Sequence, residues 1–261
     1  MTQKNHNYKL LIAYDGTNYC GWQIQPNGDT IQERLIKILT SLLQEDIHLI
    51  GAGRTDAGVH AYGQVAHFKT QKCLDCKKIL KALNGLLPKD IRVLHMREVP
   101  MHFHSQYSAI SKTYHYNLWL DPITNPMKRH YTTWVKQRMD ISLLKEAAQV
   151  FVGTHDFTSF ANSATEGSAA KGATRTIQRL DVIEQDGGVR LEFQANGFLY
   201  RMVRNIVGTL IEVAQKKRPV NSLIQIIESK DRRLAGKSAA ATGLFLMNVD
   251  YPDDLALPMM E

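Results

Sequence analysis

The chain has 261 residues, of which 44% are hydrophobic and 22% charged, a composition that excludes a largely disordered protein. Its 32 Lys and Arg residues outnumber the 25 Asp and Glu residues, so the net charge is +7. A basic excess favours polyanionic partners such as nucleic acid, because each neutralised phosphate releases counterions. A basic protein without such a partner would show the same balance.

The first half of the chain alternates between strand-like and helical patterns. A capping box at residues 30–33 opens an amphipathic helix, and Pro88 ends a second one. Strands are predicted at 8–14, 47–50, 64–68 and 91–99, and helices at 31–42 and 76–86. The resulting order, β-α-β-β-α-β, is that of the ferredoxin-like fold.

The second half has a similar element order without a residue-level repeat. Asp140 can cap a helix, and the run Asp-Gly-Gly at 186–188 predicts a hairpin turn. Strands are predicted at 113–120, 175–183, 189–194 and 244–249, and helices at 140–151, 200–215 and 222–229. We therefore expect an α+β fold of two ferredoxin-like (βαββαβ) halves, 1–105 and 106–261, with adjoining antiparallel sheets and a central active-site cleft.

The cysteine content and the apolar segments indicate in which cellular compartment the protein is expected. Three cysteines are too few for a disulfide framework and predict a reducing environment. Cys73 and Cys76 form a lone CxxC without a second pair of ligands, so we expect no metal site. The N-terminal residues lack the apolar region of a signal peptide, and no stretch approaches the ~20 apolar residues of a membrane span. We expect a cytoplasmic protein with no membrane partner.

The glycine-rich run at 51–60, Gly-Ala-Gly-Arg-Thr-Asp-Ala-Gly-Val-His, lies between two predicted strands. Its glycines allow tight turns and the close approach of a ligand. Arg54 lies two residues from Asp56, and a guanidinium beside a carboxylate keeps it ionised, as nucleophilic or general-base work requires. The run is neither a Walker A loop nor a Rossmann fingerprint. A structural glycine turn with a local Arg–Asp pair is the alternative.

Two features of the second half add candidate site residues. Arg201 and Arg204 are predicted in the first turn of a helix, where the helix dipole disfavours cations unless an anion is near. Strand alternation places Tyr114 and Tyr116 on one face, and a tyrosine at a cleft can stack on a base and carry a proton. The alternatives are a surface arginine pair and two core tyrosines.

The loop at 19–29 contains Trp22 and Gln23. Exposed aromatic and amide side chains on a loop can stack on, or hydrogen-bond to, unpaired bases. The alternative is a Trp22 that packs in the core.

Together these features resemble the tRNA pseudouridine synthase A (TruA) family over essentially the whole chain. The long motif at 53–60, Gly-Arg-Thr-Asp-Ala-Gly-Val-His, carries most of the resemblance. Shorter matches lie at 14–16, 21–23, 30–33, 114–116, 155–160, 202–208 and 243–252. The resemblance implies an isomerase that converts uridine to pseudouridine at positions 38–40 of the tRNA anticodon stem-loop. It also implies a homodimer that needs no cofactor and no metal.

The resemblance also assigns roles to residues. It makes Asp56 the nucleophile, Arg204 the arginine that pairs with it, Tyr114 the tyrosine that stacks on the target base, and Arg54 the cation that helps displace that base. The C1′–N1 bond breaks, and the uracil rotates and rejoins through C5. Whether Asp56 attacks the ribose or the base, or drives an elimination, stays open. The expected substrate-binding residues are Tyr114, Arg54, Arg201, Asn205, Trp22 and Gln23.

Two departures from the family pattern concern tRNA docking. Gln106 stands where the family usually has arginine, and Ala240 where it usually has proline. The basic clusters at 128–129, 216–218 and 232–233 are candidates for holding the tRNA body, and each is equally compatible with a solvated surface.

Two other functions are compatible with the bulk properties. The first is a non-catalytic tRNA-binding or RNA-folding module on the same scaffold, against which the intact Asp56 argues. The second is an Asp-dependent hydrolase of a small phosphorylated substrate, which predicts a substrate affinity that is insensitive to salt.

Overall fold

A computed structural model of the chain describes residues 5–162 and 172–255. The strands are β1 (His6–Tyr14), β2 (Ile50–Gly51), β3 (His60–Thr70), β4 (Ile91–Val99), β5 (Ser111–Trp119), β6 (Thr133–Trp134), β7 (Gly153–Asp156), β8 (Thr174–Gln185), β9 (Gly188–Ala195) and β10 (Leu244–Asp250). The helices are α1 (Ile31–Leu43), α2 (Cys76–Leu86), α3 (Ile141–Gln149), α4 (Met202–Ala214) and α5 (Ser222–Ser229). Across these two ranges, no helix combines the length and apolarity needed to cross a membrane.

The described chain divides into two compact units. The first comprises residues 5–110 and 246–255, and the second comprises the described part of 111–245. The sequence predicted a division between residues 105 and 106 with everything later in the second half. The structure instead divides after Ile110 and returns residues 246–255 to the first unit, because most of β10 lies beside β3 in that unit's sheet.

The sheet of the first unit has the strand order β4-β1-β3-β10, with β2 paired to β3. β1 runs antiparallel to both β3 and β4. Alternate β1 side chains, from Tyr8 to Tyr14, are buried. Helix α1 begins as the capping box predicts, since the Thr30 hydroxyl accepts the N–H of Glu33. Helix α2 packs on β4 and against α1.

The sheet of the second unit has the order β5-β9-β8-β7, and β6 pairs with β5 in parallel. β8 and β9 form an antiparallel hairpin that turns at Gly187, whose φ of 75° suits glycine. Helix α3 packs on α4 and on β8. Ten of the 13 residues of α4 are buried, so this helix forms much of the unit's core.

The α+β class with mainly antiparallel pairing is confirmed. Several predicted boundaries were wrong. The strand predicted at 47–50 pairs only at Ile50–Gly51, and the strand predicted at 64–68 extends over His60–Thr70. The two short strands β6 and β7 were missed, since they have only two and four residues.

Candidate active site

The glycine-rich run forms a loop between β2 and β3 whose backbone is tied to residues 19–22. Trp22 donates its N–H to the Thr55 carbonyl at 3.1 Å, and Gly58 donates its N–H to the Tyr19 carbonyl at 3.2 Å. Within the loop, the Val59 N–H reaches the Asp56 carbonyl at 3.1 Å. These bonds fix the backbone on both sides of Asp56.

Glycine at position 21 is required by the close approach of the two segments. Gly21 has a φ of 93°, and a Cβ at this position would lie 2.4 Å from the Thr55 carbonyl oxygen and 3.0 Å from the carbonyl carbon of Asp56. Any larger residue would displace the backbone that carries Asp56. The glycine at position 21 of the family pattern therefore has a local physical cause.

The Thr55 side chain anchors the loop to the core of the first unit. It is buried, and its hydroxyl shares a hydrogen bond of 2.8 Å with the phenol of Tyr14. Burial raises the pKa of Tyr14, so the phenol stays protonated. Gln64 adds a second anchor by donating to the Gly53 carbonyl at 2.9 Å.

Asp56 and Arg54 differ in their surroundings. Asp56 is half-buried, whereas Arg54 is exposed. Among the described residues Arg54 forms no hydrogen bond or ion pair, so the local Arg54–Asp56 pair that the spacing allowed is not formed. A half-buried carboxylate on a braced backbone is both reachable and positioned, as a nucleophile or general base must be.

Of the two loop residues proposed to contact RNA, Trp22 is buried in the core and Gln23 is half-buried. Trp22 is 1% exposed, and its indole packs directly on Gly51. A Cβ added to Gly51 would lie only 2.6 Å from the indole nitrogen. The structure thus places Trp22 in the core, where it supports the loop and does not present a face to a base. Gln23 is half-buried and donates to Gln32 at 2.7 Å.

Tyr114 and Tyr116 share a face of β5, as the alternation predicted. Tyr114 is 7% exposed, and its ring meets Phe198 edge-on at a centroid distance of 5.0 Å. Tyr116 is fully buried, and its phenol contacts the Thr133 hydroxyl and the Ala240 carbonyl, each at 2.7 Å. Tyr116 is therefore a structural residue that holds the segment around Ala240.

The start of α4 places its two arginines differently. Arg201 is the residue before the helix, with a left-handed φ of 60° and its guanidinium 5.2 Å from the centre of the Tyr200 ring. Arg204 lies in the first turn, where its Nε donates to the Ala239 carbonyl at 2.8 Å and its own carbonyl accepts the Ala239 N–H at 2.9 Å. This two-way contact fixes the direction of the Arg204 side chain.

Asn205 is fully buried, so its presence in the family-like run at 202–208 reflects a structural role and not substrate contact. Its amide nitrogen donates to the Phe160 carbonyl and to Asn162, and its oxygen accepts from Arg232 at 2.9 Å and from Ser238. The direct substrate contact predicted for Asn205 does not fit this arrangement. The residue instead holds the segments around α4 together.

Lys112 and Arg175 are two interacting cations of the second unit that the sequence interpretation missed. Lys112 lies two residues before Tyr114 on the same face of β5 and pairs in register with Ala195. Burial, and then repulsion from Arg175, lower the pKa of Lys112 to about 8, and burial also lowers the pKa of Arg175. The alternation of β5 was the available signal for Lys112, but Arg175 lies on another strand and could be found only from the fold.

In two of the three basic clusters suggested by the sequence, most of the cations are engaged within the protein. Lys216 pairs with Asp140 at 3.3 Å, and Arg218 pairs with Glu212 at 2.9 Å. Both line an open cavity of about 400 Å³ between α3 and the end of α4. Arg232 is engaged by the Asn205 network. Among the described residues no three potential ligands are grouped as a metal site would require.

A family model described as tRNA pseudouridine synthase matches residues 10–108 and 147–252, which is most of the chain. The chain belongs to this family. The predicted resemblance is thereby confirmed, and the protein is an isomerase of the pseudouridine synthase type.

Relatives match this pseudouridine synthase over nearly their whole length. The tRNA pseudouridine synthase A 1 of Protochlamydia amoebophila (strain UWE25) is 53% identical over 95% of this chain and 98% of its own. The tRNA pseudouridine synthase A of Geobacter sp. (strain M21) is 43% identical over 95% and 99%. That of Acetivibrio thermocellus is 44% identical over 94% and 99%. A solved chain, from the crystal structure of a Cbf5-Nop10-Gar1 complex, shares 14% identity at a TM-score of 0.33 over 78% of this chain and 45% of its own.

Proposed function

We propose that this pseudouridine synthase isomerises uridines at positions 38–40 of the tRNA anticodon stem-loop, with Asp56 as the nucleophile. The observation that carries the proposal is the braced loop. The buried Thr55 hydroxyl is bonded to Tyr14, and Gly21 packs against the backbone at Thr55 and Asp56. The Asp56 side chain stays half-exposed. Preorganisation of this kind lowers the cost of bringing a nucleophile to its target.

The chemistry required of Asp56 is redox-neutral. Its carboxylate acts on the uridine, and the C1′–N1 bond breaks. The uracil turns, C1′ bonds to C5, N1 gains a proton and C5 loses one to solvent. Product and substrate then have the same composition, so the reaction needs neither an oxidant nor ATP. Direct attack on ribose, attack on the base and elimination all fit this balance.

The second unit supplies the remaining proposed groups. Tyr114 offers a phenol ring held edge-on by Phe198, and this ring is suited to stacking on the target base. Arg204, whose Nε is fixed on Ala239, is proposed to pair with the Asp56 carboxylate and orient it. Arg201 and the exposed Arg54 are proposed to contact the RNA, Arg54 by helping to displace the base.

The proposal extends to the architecture and the assembly. In the first unit, the order β4-β1-β3 with β2 on β3 supports a ferredoxin-like half. We propose the same for the second unit, and a cytoplasmic homodimer as the working form. Light scattering on the purified protein tests the dimer, and a mass of one chain, 29.6 kDa, would contradict it.

Tritium release tests the reaction. tRNA labelled with tritium at C5 of uridine should lose label only when C5 bonds to C1′. We expect wild type to release tritium and Asp56→Asn to bind tRNA without release, because an amide is a far weaker nucleophile than a carboxylate. Asp46→Asn is the matched control, since Asp46 is an exposed carboxylate of the same unit. Turnover by Asp56→Asn at the rate of the control would remove Asp56 from the nucleophile role.

A further inference from the structure

Between β5 and α3 the second unit carries a segment, residues 121–138, that we call the basic–aromatic segment. It contains four cations, Lys128, Arg129, Lys136 and Arg138, against a single acid, Asp121. Three of the four cations are exposed and Lys128 is half-buried. The segment therefore has a local excess of positive charge on an accessible surface.

None of these four cations has an acidic partner among the described residues. Within residues 5–162 and 172–255, none of the four forms an ion pair. Four exposed lysines elsewhere do pair, and they serve for comparison: Lys37 with Glu33 at 2.8 Å, Lys78 with Asp75 at 3.6 Å, Lys145 with Glu184 at 2.6 Å and Lys230 with Asp156 at 2.9 Å. Charge that is not compensated within the protein is available to an external anion.

The segment is held in a defined shape by Trp134 within it and by Trp119 at the end of β5. The indole N–H of Trp119 donates to the Ile123 carbonyl at 2.8 Å, and that of Trp134 donates to the Asp121 carbonyl at 3.1 Å. The Val135 N–H donates to the Trp119 carbonyl at 2.9 Å, next to the β5–β6 pairing. The cations are thus displayed from a structured surface, which reduces the entropy lost when a ligand binds.

Large apolar side chains are exposed among the cations. Ile123 is 83% exposed, Met127 77%, Trp134 41% and Tyr131 39%. The ammonium of Lys136 lies 4.9 Å from the centre of the Trp134 ring. Flat aromatic faces interleaved with cations are the combination that accommodates both the phosphates and the sugars or bases of a nucleic acid.

We propose that the basic–aromatic segment is a docking surface for the ribose–phosphate backbone of the RNA substrate, with the four cations on phosphates and Trp134 against a sugar or base. The assignment rests on the proposed function, because that function supplies the RNA. The basic–aromatic segment would thus contact the substrate at a place separate from the residues proposed to act on the uridine. A polyglutamate chain carries carboxylates but no base or sugar, so it would neutralise the cations without covering the Trp134 ring.

A charge-matched pair of variants tests the surface. The first is Lys128→Gln, Arg129→Gln, Lys136→Gln and Arg138→Gln together. The control replaces the four ion-paired lysines 37, 78, 145 and 230 with Gln, so both proteins lose four positive charges. We expect the first to bind tRNA about 10- to 100-fold more weakly near 0.15 M salt, with a log–log salt slope shallower by about 2 to 3. The control should weaken binding by less than about threefold, since long-range attraction is screened.

Kinetics and fluorescence give two further readouts. The single-turnover rate at saturating tRNA should be unchanged in the first variant, so that its defect appears in KM alone. Trp134 is the exposed tryptophan, whereas Trp22 and Trp119 are 1% and 7% exposed. Bound tRNA should therefore reduce the quenching of tryptophan fluorescence by acrylamide in wild type. In Trp134→Phe, tRNA should leave the quenching unchanged.

The outcomes separate this inference from the proposed function. Equal loss of affinity in the two charge variants, or no protection of Trp134, would overturn the docking surface even if wild type forms pseudouridine. Failure of wild type to release tritium from any tRNA would instead overturn the proposed function. Protection of Trp134 by an acidic polypeptide to the same extent as by tRNA would also contradict the assignment to RNA.

Discussion

Replacing Gly21 with alanine probes how the Asp56 loop is positioned. The added Cβ would lie 2.4 Å from the Thr55 carbonyl oxygen, although real Cβ contacts are essentially never under 3.0 Å. The oxygen, or Gly21 itself, must therefore shift by at least the difference, 0.6 Å. The hydrogen bond from the Trp22 N–H to this same oxygen would be strained or lost.

Two effects determine how far Gly21→Ala lowers the free energy of unfolding. Alanine at a φ of 93° costs about 1–2 kcal/mol, and the overlap with the backbone costs about 1–3 kcal/mol if the structure must shift to relieve it. The free energy of unfolding should thus fall by about 2–5 kcal/mol. Since a displacement near 1 Å can reduce a rate by about 100-fold, the single-turnover rate should fall by one to two orders of magnitude.

Urea unfolding and single-turnover tritium release measure the two effects. Gly85→Ala is the control, because Gly85 is exposed in α2 and no atom lies within 4 Å of its added Cβ. Alanine there should raise stability by about 0.5–1 kcal/mol through its helix propensity. If Gly21→Ala unfolds at the wild-type midpoint and keeps its rate, the loop is not braced by this contact and the reasoning is wrong.

Two further predictions concern stability. Burial, and then repulsion from His104, lower the pKa of His67 to about 4, below its unfolded value near 6.5, so stability should be lost by up to about 3 kcal/mol as the pH falls from 6.5 toward 4. His67→Gln should flatten this part of the unfolding profile, and an unchanged slope would contradict the assignment. Arg232→Ala should cost about 2–3 kcal/mol in urea unfolding, because its guanidinium is bonded to Asn162 and to the buried Asn205. Arg233→Ala, at an exposed guanidinium, should change stability by less than about 0.5 kcal/mol, and equal effects would refute the network.

Local signals were sufficient to predict the helices of both units. Thr30, Asp75 and Asp140 each accept the N–H of the residue three positions later, so three helix starts are decided by side chains within one turn. Short edge strands offer no such signal. β6 has two residues, and its pairing with β5 depends on contacts that the periodicity of its own sequence does not encode.

The candidate site was predictable where a residue type is demanded by the backbone or by the chemistry. The glycines beside Asp56 belong to this class. The burial of Trp22 and Asn205 does not, because the same residue types serve equally well as surface contacts and as buried supports. Nor does the left-handed conformation of Arg201, since a non-glycine residue in that region has no sequence signature.

The return of β10 to the first unit has a consequence for synthesis. β10 lies beside β3, Tyr251 donates to the Ser105 carbonyl at 2.6 Å, and Ile110 donates its N–H to the Asp250 carbonyl at 2.9 Å, so residues 246–251 complete a unit that residues 5–110 begin. While a ribosome makes residues 111–245, at about 5–20 residues per second, the edge of β3 lacks its neighbouring strand for about 7 to 27 seconds. During that interval the nascent first unit exposes an open edge of β3, the type of surface that recruits chaperones or aggregates.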